Sequence, residues 1–90
     1  MTAATLRARP TPAGLDPART ALWHIAHNDW DRAHEAAQSG TTPDADWVHA
    51  HLHRVEGDLE NARYWYSRAK KPVASGPLDA EWAVIADNLG

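Results

Sequence analysis

The chain has 90 residues, a net charge of −3 and no cysteine, which excludes disulfides, thiolate metal ligands and thiol nucleophiles. The acidic balance provides no basic surface, so we expect neither nucleic acid nor a membrane as a partner. No apolar run approaches the roughly 20 residues of a spanning helix, and the N-terminus lacks the apolar region of a secretory signal, so we expect a cytoplasmic protein.

The N-terminal segment, residues 1–15, contains two prolines and shows no helical periodicity. Such a composition buries little apolar surface, so we expect a disordered segment there, followed by a single helical-repeat domain over residues 16–90. A first helix is predicted to begin at Asp16 and Pro17, because aspartate caps a helix and proline suits its first position.

Two tight corners follow along the chain. Asn28 tolerates the left-handed conformation, and Asp29 is a suitable cap for a second helix that ends at Ser39-Gly40. Thr42-Pro43 repeats the combination of cap and proline, which predicts a third helix over residues 44–56.

Gly57 stands at the second corner, and a fourth helix is predicted over residues 58–70. A last helix is predicted beyond the loop that follows, because apolar residues recur there at helical spacing. These residues are Leu78, Trp82, Ile85 and Leu89.

The two corners lie 29 residues apart, and other positions recur at the same offset. Ala21 aligns with Ala50, and Ala33 aligns with Ala62, where small side chains let two helices approach each other closely. The chain therefore contains two helix–corner–helix units. They predict an all-α fold of two antiparallel helical hairpins plus a C-terminal capping helix.

The second unit spans Asp46–Ala69 and contains Gly57-Asp58 followed by Ala62 and, four residues later, the aromatic Tyr66. In this it resembles the tetratricopeptide (TPR) repeats. The run WVHAHLHRVEGDLENARYWYSRA is also similar to short bacterial proteins of unassigned function. Two units are fewer than the roughly three repeats that usually bury a continuous core, so dimerisation would complete it.

Two stripes at helical spacing, on the first and third helices, correspond to the concave face that receives peptides in tetratricopeptide repeats. The resemblance therefore implies a groove in which Arg54 binds a carboxylate and Trp47 provides a broad anchor. On this interpretation the protein is a small interaction module without catalysis or cofactor, which self-associates, for example as a homodimer, or binds a peptide. A purely structural role for the same stripes stays open, because an apolar stripe is usually core. The stripe residues are Leu22, Ile25, Asp44, Trp47, His51 and Arg54.

The stretch HAHLHR, residues 49–54, places three of the six histidines at alternate positions. On a helix only His49 and His53 share a face, and Glu56 joins that face one turn later. Two histidines and a glutamate form a set that zinc accepts. The alternative to the interaction module is therefore a zinc-type metal-binding protein or a small metal-dependent enzyme. At the 29-residue offset, His24 and His27 of the first helix align with His53 and Glu56, so they join the candidate ligands. The candidate ligands are His24, His27, His49, His53 and Glu56.

Overall fold

A computed structural model describes residues 1–89, and the protein is all-α, as the sequence predicts. Gly90, the last residue of the predicted domain, lies outside the described residues. No helix among residues 1–89 is long and apolar enough to cross a bilayer. The helices are α1 (Ala3–Ala8), α2 (Pro17–Ala26), α3 (Trp30–Ser39), α4 (Pro43–Glu56), α5 (Leu59–Ala69) and α6 (Leu78–Asn88).

Each of the four central helices begins at a side-chain cap, as the sequence predicts for Asp16, Asp29 and Thr42. In each, a side-chain oxygen accepts a hydrogen bond from the backbone N–H three residues later, which satisfies a donor that the helix itself leaves unpaired. The caps are Asp16, Asp29, Thr42 and Asp58. Both predicted corners are confirmed, since Asn28 has a φ of 61° and Gly57 a φ of 85°.

The helices on either side of each corner pack against each other, α2 with α3 and α4 with α5, and α3 also packs against α4. The alanines that recur in the two units are all buried, with exposed fractions of 0 or 1%: Ala21, Ala33, Ala50 and Ala62. Because these side chains are small, the helix backbones approach closely, and larger side chains such as Tyr66, Leu22 and Leu52 fill the remaining volume.

The expectation of a disordered segment over residues 1–15 is corrected by α1. Leu6 is 1% exposed and belongs to the core, and the Ala3 N–H donates to Oδ1 of Asp87 at 2.7 Å. The indole of Trp23 also donates to the carbonyl of Arg9 at 2.9 Å. Leu6 is the one buried residue of α1, so the segment lacks the repeated apolar positions from which a helix can be predicted.

The C-terminal helix α6 packs against α1, α2 and α4. Trp82, Ile85 and Ala86 are buried, and the Trp82 indole donates to the carbonyl of Leu22 at 2.8 Å. As a result, α6 covers the face that the sequence assigned to a peptide groove. The linker to α5, residues 71–77, contains no regular secondary structure.

Candidate metal centre

Three imidazole rings meet between the two helix pairs, those of His34 on α3 and of His49 and His53 on α4. One ring nitrogen of each lies within 4.8 Å of the other two. The rings on α4 are four residues apart and therefore project from the same face, with centroids 5.0 Å apart and planes at 21°. The His34 ring meets the His49 ring edge-on, at 89°. The fold thus brings three nitrogen ligands from two helices to one point.

The distance between two of the three ring nitrogens is close to that in a tetrahedral metal site. Nε2 of His34 lies 3.1 Å from Nε2 of His49. Zinc–nitrogen bonds of 2.0–2.1 Å in a tetrahedral arrangement place ligand nitrogens about 3.3 Å apart. In the metal-free protein the same distance is a hydrogen bond, in which one neutral imidazole donates and the other accepts. Metal binding would leave this distance almost unchanged, while each ring turns so that its Nε2 lone pair points at the ion and the donating ring carries its proton on Nδ1 instead.

Glu56 orients the third ring. Its Oε1 lies 2.6 Å from Nδ1 of His53, one turn away on α4. In the tautomer with its proton on Nδ1, the neutral imidazole donates to this carboxylate, which leaves the lone pair on Nε2 for a metal. A carboxylate in this position is a common partner of metal-binding histidines, because it fixes the tautomer and raises the basicity of the ring.

A second group of possible ligands overlaps the first, since ligand atoms of His53, Glu56 and Asp58 also lie within 4.8 Å of one another. Both Asp58 carboxylate oxygens are already engaged, one with the Asn61 N–H at 3.2 Å and the other with the Asn61 side-chain amide at 2.7 Å. These bonds cap α5. The carboxylates therefore support the ring of His53, and the three histidines form the stronger candidate site.

Two indole rings wall the histidine cluster. Trp65 stacks on His49, with centroids 3.8 Å apart and planes at 10°, and Trp30 stacks on His34 at 4.8 Å and 8°. The Trp30 N–H donates to the carbonyl of Leu52 at 3.0 Å, which fixes this indole against α4. The stacked rings restrict the orientation of both imidazoles, so little side-chain entropy remains to be lost when a metal binds.

The electrostatic environment keeps His49 neutral. Its side chain is 2% exposed, and burial, together with electrostatic repulsion from His34, His53 and Arg68, lowers the pKa of His49 from 6.5 to about 4. A neutral imidazole is the form that binds a metal ion. At neutral pH, no proton has to leave His49 before a metal binds.

The cluster contains His49, His53 and Glu56 of the predicted set, but His24 and His27 do not belong to it. The His27 ring stacks on Trp23 at 3.7 Å, and His24 meets the edge of the same indole. Neither ring belongs to a group of ligand atoms that lie within 4.8 Å of one another in the described residues, so this structure does not bring them to the cluster.

Their place is taken by His34, which the sequence analysis missed. Trp30, His34 and Ala37 recur at helical spacing on the α3 face that packs against α4, and this pattern was the available signal. His34 reaches the other two histidines through the packing of α3 against α4. The 29-residue repeat relates equivalent positions in the two units and does not indicate which residues of one unit contact the other.

The predicted groove residues lie in or beside the interior. Leu22 is 0% exposed, His51 1% and Trp47 9%, whereas Ile25 and Asp44 are partly exposed near the ends of their helices. Because α6 covers these stripes, the buried members are not open to a peptide in this conformation.

Arg54 does bind a carboxylate, but the carboxylate belongs to Glu81 of the same chain. Arg54 Nη1 and His51 Nδ1 donate to Oε1 of Glu81, at 2.8 and 2.7 Å, and the Tyr66 hydroxyl donates to Oε2. Burial and the Glu81 carboxylate raise the pKa of Tyr66, so its hydroxyl stays protonated and donates. A side chain of α6 thus occupies the position that the sequence analysis gave to an external ligand.

Known proteins give no indication of the function of this chain. No family model, curated protein or solved structure matches the chain. The resemblance to tetratricopeptide repeats accordingly stays a prediction from the sequence.

Proposed function

We propose that this protein binds a transition-metal ion, with Zn²⁺ as the reference metal, through His34, His49 and His53. The observation that carries the proposal is the convergence of three ring nitrogens within 4.8 Å, from two helices that are separate in sequence. Three histidines are an established ligand set for zinc, and the carboxylate behind His53 supplies the usual outer-shell support.

The proposed metal would join the two helix pairs, because His34 belongs to the first pair while His49 and His53 belong to the second. In a chain of 90 residues without disulfides, such a bond stabilises the native state directly, since the unfolded chain does not hold the three rings together. Three protein ligands also leave a fourth tetrahedral position for water or a small ligand, where the ion would act as a Lewis acid.

Peptide binding on the concave face is less well supported than metal binding. The stripes proposed for it contact α6, and the Arg54 guanidinium already pairs with Glu81. A peptide would therefore have to displace α6 before it reached these residues, whereas the histidine cluster needs no such rearrangement.

The test is a calorimetric titration of tag-free, chelator-treated protein with Zn²⁺ at pH 7. We expect one ion per chain. The His34→Gln variant should bind at least about 100-fold more weakly, because its effect should exceed the 10–100-fold typical of an outer-shell partner. The matched control is His27→Gln, which removes a histidine outside the cluster and should bind as the natural chain does. Absence of binding, or equal losses in both variants, would contradict the proposal.

A further inference from the structure

The carboxylate of Glu81 occupies a socket that α4 and α5 build. Its three donors, from His51, Arg54 and Tyr66, lie on those two helices and none lies on α6. Glu81 is 7% exposed, so the socket removes a carboxylate from water and satisfies it with hydrogen bonds. The socket therefore binds a helix, α6, that is joined to α5 by the linker of residues 71–77.

The remainder of the α6 contact is equally specific. Next to Glu81, the Trp82 indole donates to the Leu22 carbonyl, and Ile85 is fully buried. A helix that presents one carboxylate, one indole and an aliphatic face is therefore the ligand that this surface accepts. A second copy of the chain carries an identical helix.

The linker is long enough for α6 to reach another molecule once the contacts that hold it are released. Residues 71–77 span roughly 23 Å when fully extended, which equals the shortest dimension of the molecule, 23 Å. The start of α6 has Pro77 at its cap position and makes no side-chain capping bond. The Arg54 Nη2 to Gly76 carbonyl bond, at 2.7 Å, holds the end of the linker beside the socket.

Apolar side chains are exposed at this hinge. Val73 in the linker is 56% exposed, Val84 on α6 is 52% exposed, and both line a groove of about 290 Å³ beside Trp47. When two chains exchange a terminal element, their linkers run past each other and form a contact that the monomer lacks. The exposed valines lie where this contact would form.

We propose that two copies of the chain form a dimer by exchanging α6, so that each copy places Glu81 and Trp82 into the socket of the other. The contacts made by α6 are the same in the closed monomer and in the exchanged dimer. The balance between the two forms is therefore set by the linker, the new hinge contact and the protein concentration. This exchange is independent of metal binding.

Charge reversal at the socket tests the exchange. In Arg54→Glu the socket repels its own Glu81, and in Glu81→Arg the helix repels Arg54, so neither variant places α6 favourably in its own or an identical copy. In a mixture, the intact α6 of the first variant meets the intact socket of the second. We expect a heterodimer at about twice the 9.9 kDa of one chain, measured by native mass spectrometry.

The control is the double variant with both reversals in one chain, which restores an oppositely charged pair and should show the monomer–dimer balance of the natural protein. A mixture that contains only monomers, although both single variants keep α2–α5 helical by circular dichroism, overturns the proposal.

If the charge-reversal variants do not fold, a deletion in the linker tests the exchange instead. Deleting residues 73–75 shortens the linker and strains closure within one chain, which favours exchange. We expect this variant to be a stable dimer with the helical content of the natural chain. If it is a monomer, with α6 either docked or released, the exchange does not occur.

Discussion

Nε2 of His34 lies 3.1 Å from Nε2 of His49, although the two residues are 15 positions apart and belong to different helix pairs. The contact forms because α3 packs against α4 with Trp30 and His34 on its inner face. One metal ion bound by these rings would link the α2–α3 pair to the α4–α5 pair. Metal binding should therefore raise the stability of the whole chain.

Zinc should raise the melting temperature of the chelator-treated protein. At a free concentration 100 times the Kd, binding to the native state alone contributes about 2.7 kcal/mol, which corresponds to about 10–20 °C for a domain of this size. Thermal melts with and without Zn²⁺ measure this shift. His24→Gln should retain it and His34→Gln should lose most of it, whereas equal shifts in both would point to adventitious binding.

Replacing Glu56 by Gln should weaken zinc binding by about 10–100-fold while helical content stays unchanged, because Glu56 orients His53 without contacting the metal. The matched control is Glu60→Gln, an exposed carboxylate in the first turn of α5. Titration calorimetry compares the two variants. Equal affinity in both would show that the carboxylate behind His53 has no role in the site.

His49 should make the metal-free protein less stable as the pH falls from 6.5 toward 4. Its pKa is about 4 in the folded chain and 6.5 as the ordinary value, so between these limits the unfolded chain takes up the proton. The native state loses on the order of 2–3 kcal/mol across that window, and this residue contributes no further change above it.

Urea denaturation in chelator at several pH values measures the effect. In His49→Gln the slope between pH 4 and 6.5 should be shallower than in the natural chain, because the buried ring that only the unfolded chain protonates in that range is absent. Parallel slopes would mean that burial does not hold this ring neutral.

Glu81→Ala should lower the free energy of unfolding by about 3–5 kcal/mol, because it leaves the Arg54 guanidinium without its buried partner. Asp79→Ala, on the exposed face of the same helix, is the control and should change stability by less than about 0.5 kcal/mol. Urea denaturation at pH 7 gives both values. Similar small losses would indicate that the socket contributes little to the fold.

Acid should weaken the same contact. Burial alone would raise the pKa of Glu81, but the hydrogen bonds from His51, Tyr66 and Arg54 outweigh it and lower the pKa below the ordinary 4.5. The contribution of Glu81 is therefore complete above pH 4.5 and is lost as the pH falls through its folded value. The difference in stability between Glu81→Gln and the natural chain should shrink in that range, and a constant difference would contradict this assignment.

The helices of the two units could be predicted from the sequence because their start and stop signals are local. Asp16 and Pro17 begin α2, and Gly57 ends α4, through contacts within a few residues of each. The N-terminal helix α1 also begins at a local cap, Thr2, but its burial depends on Leu6 and on contacts with α6, about 70 or more positions away, which no short-range pattern specifies.

The candidate site could be predicted from the sequence only where its geometry is local. His49 and His53 share a face at a spacing of four residues, and Glu56 follows one turn later, so the α4 half of the cluster follows from helical periodicity. His34 enters through the packing of α3 on α4, whose orientation no short-range pattern specifies. The repeat pointed instead to His24, which packs beside Trp23.

The stacking of Trp65 on His49 and of Trp30 on His34 gives the candidate centre a built-in optical reporter. A paramagnetic ion such as Cu²⁺ at the three ring nitrogens would lie close enough to both indoles to quench their fluorescence. Replacing each of these two tryptophans by Phe in turn would then assign the loss of emission to one side of the cluster.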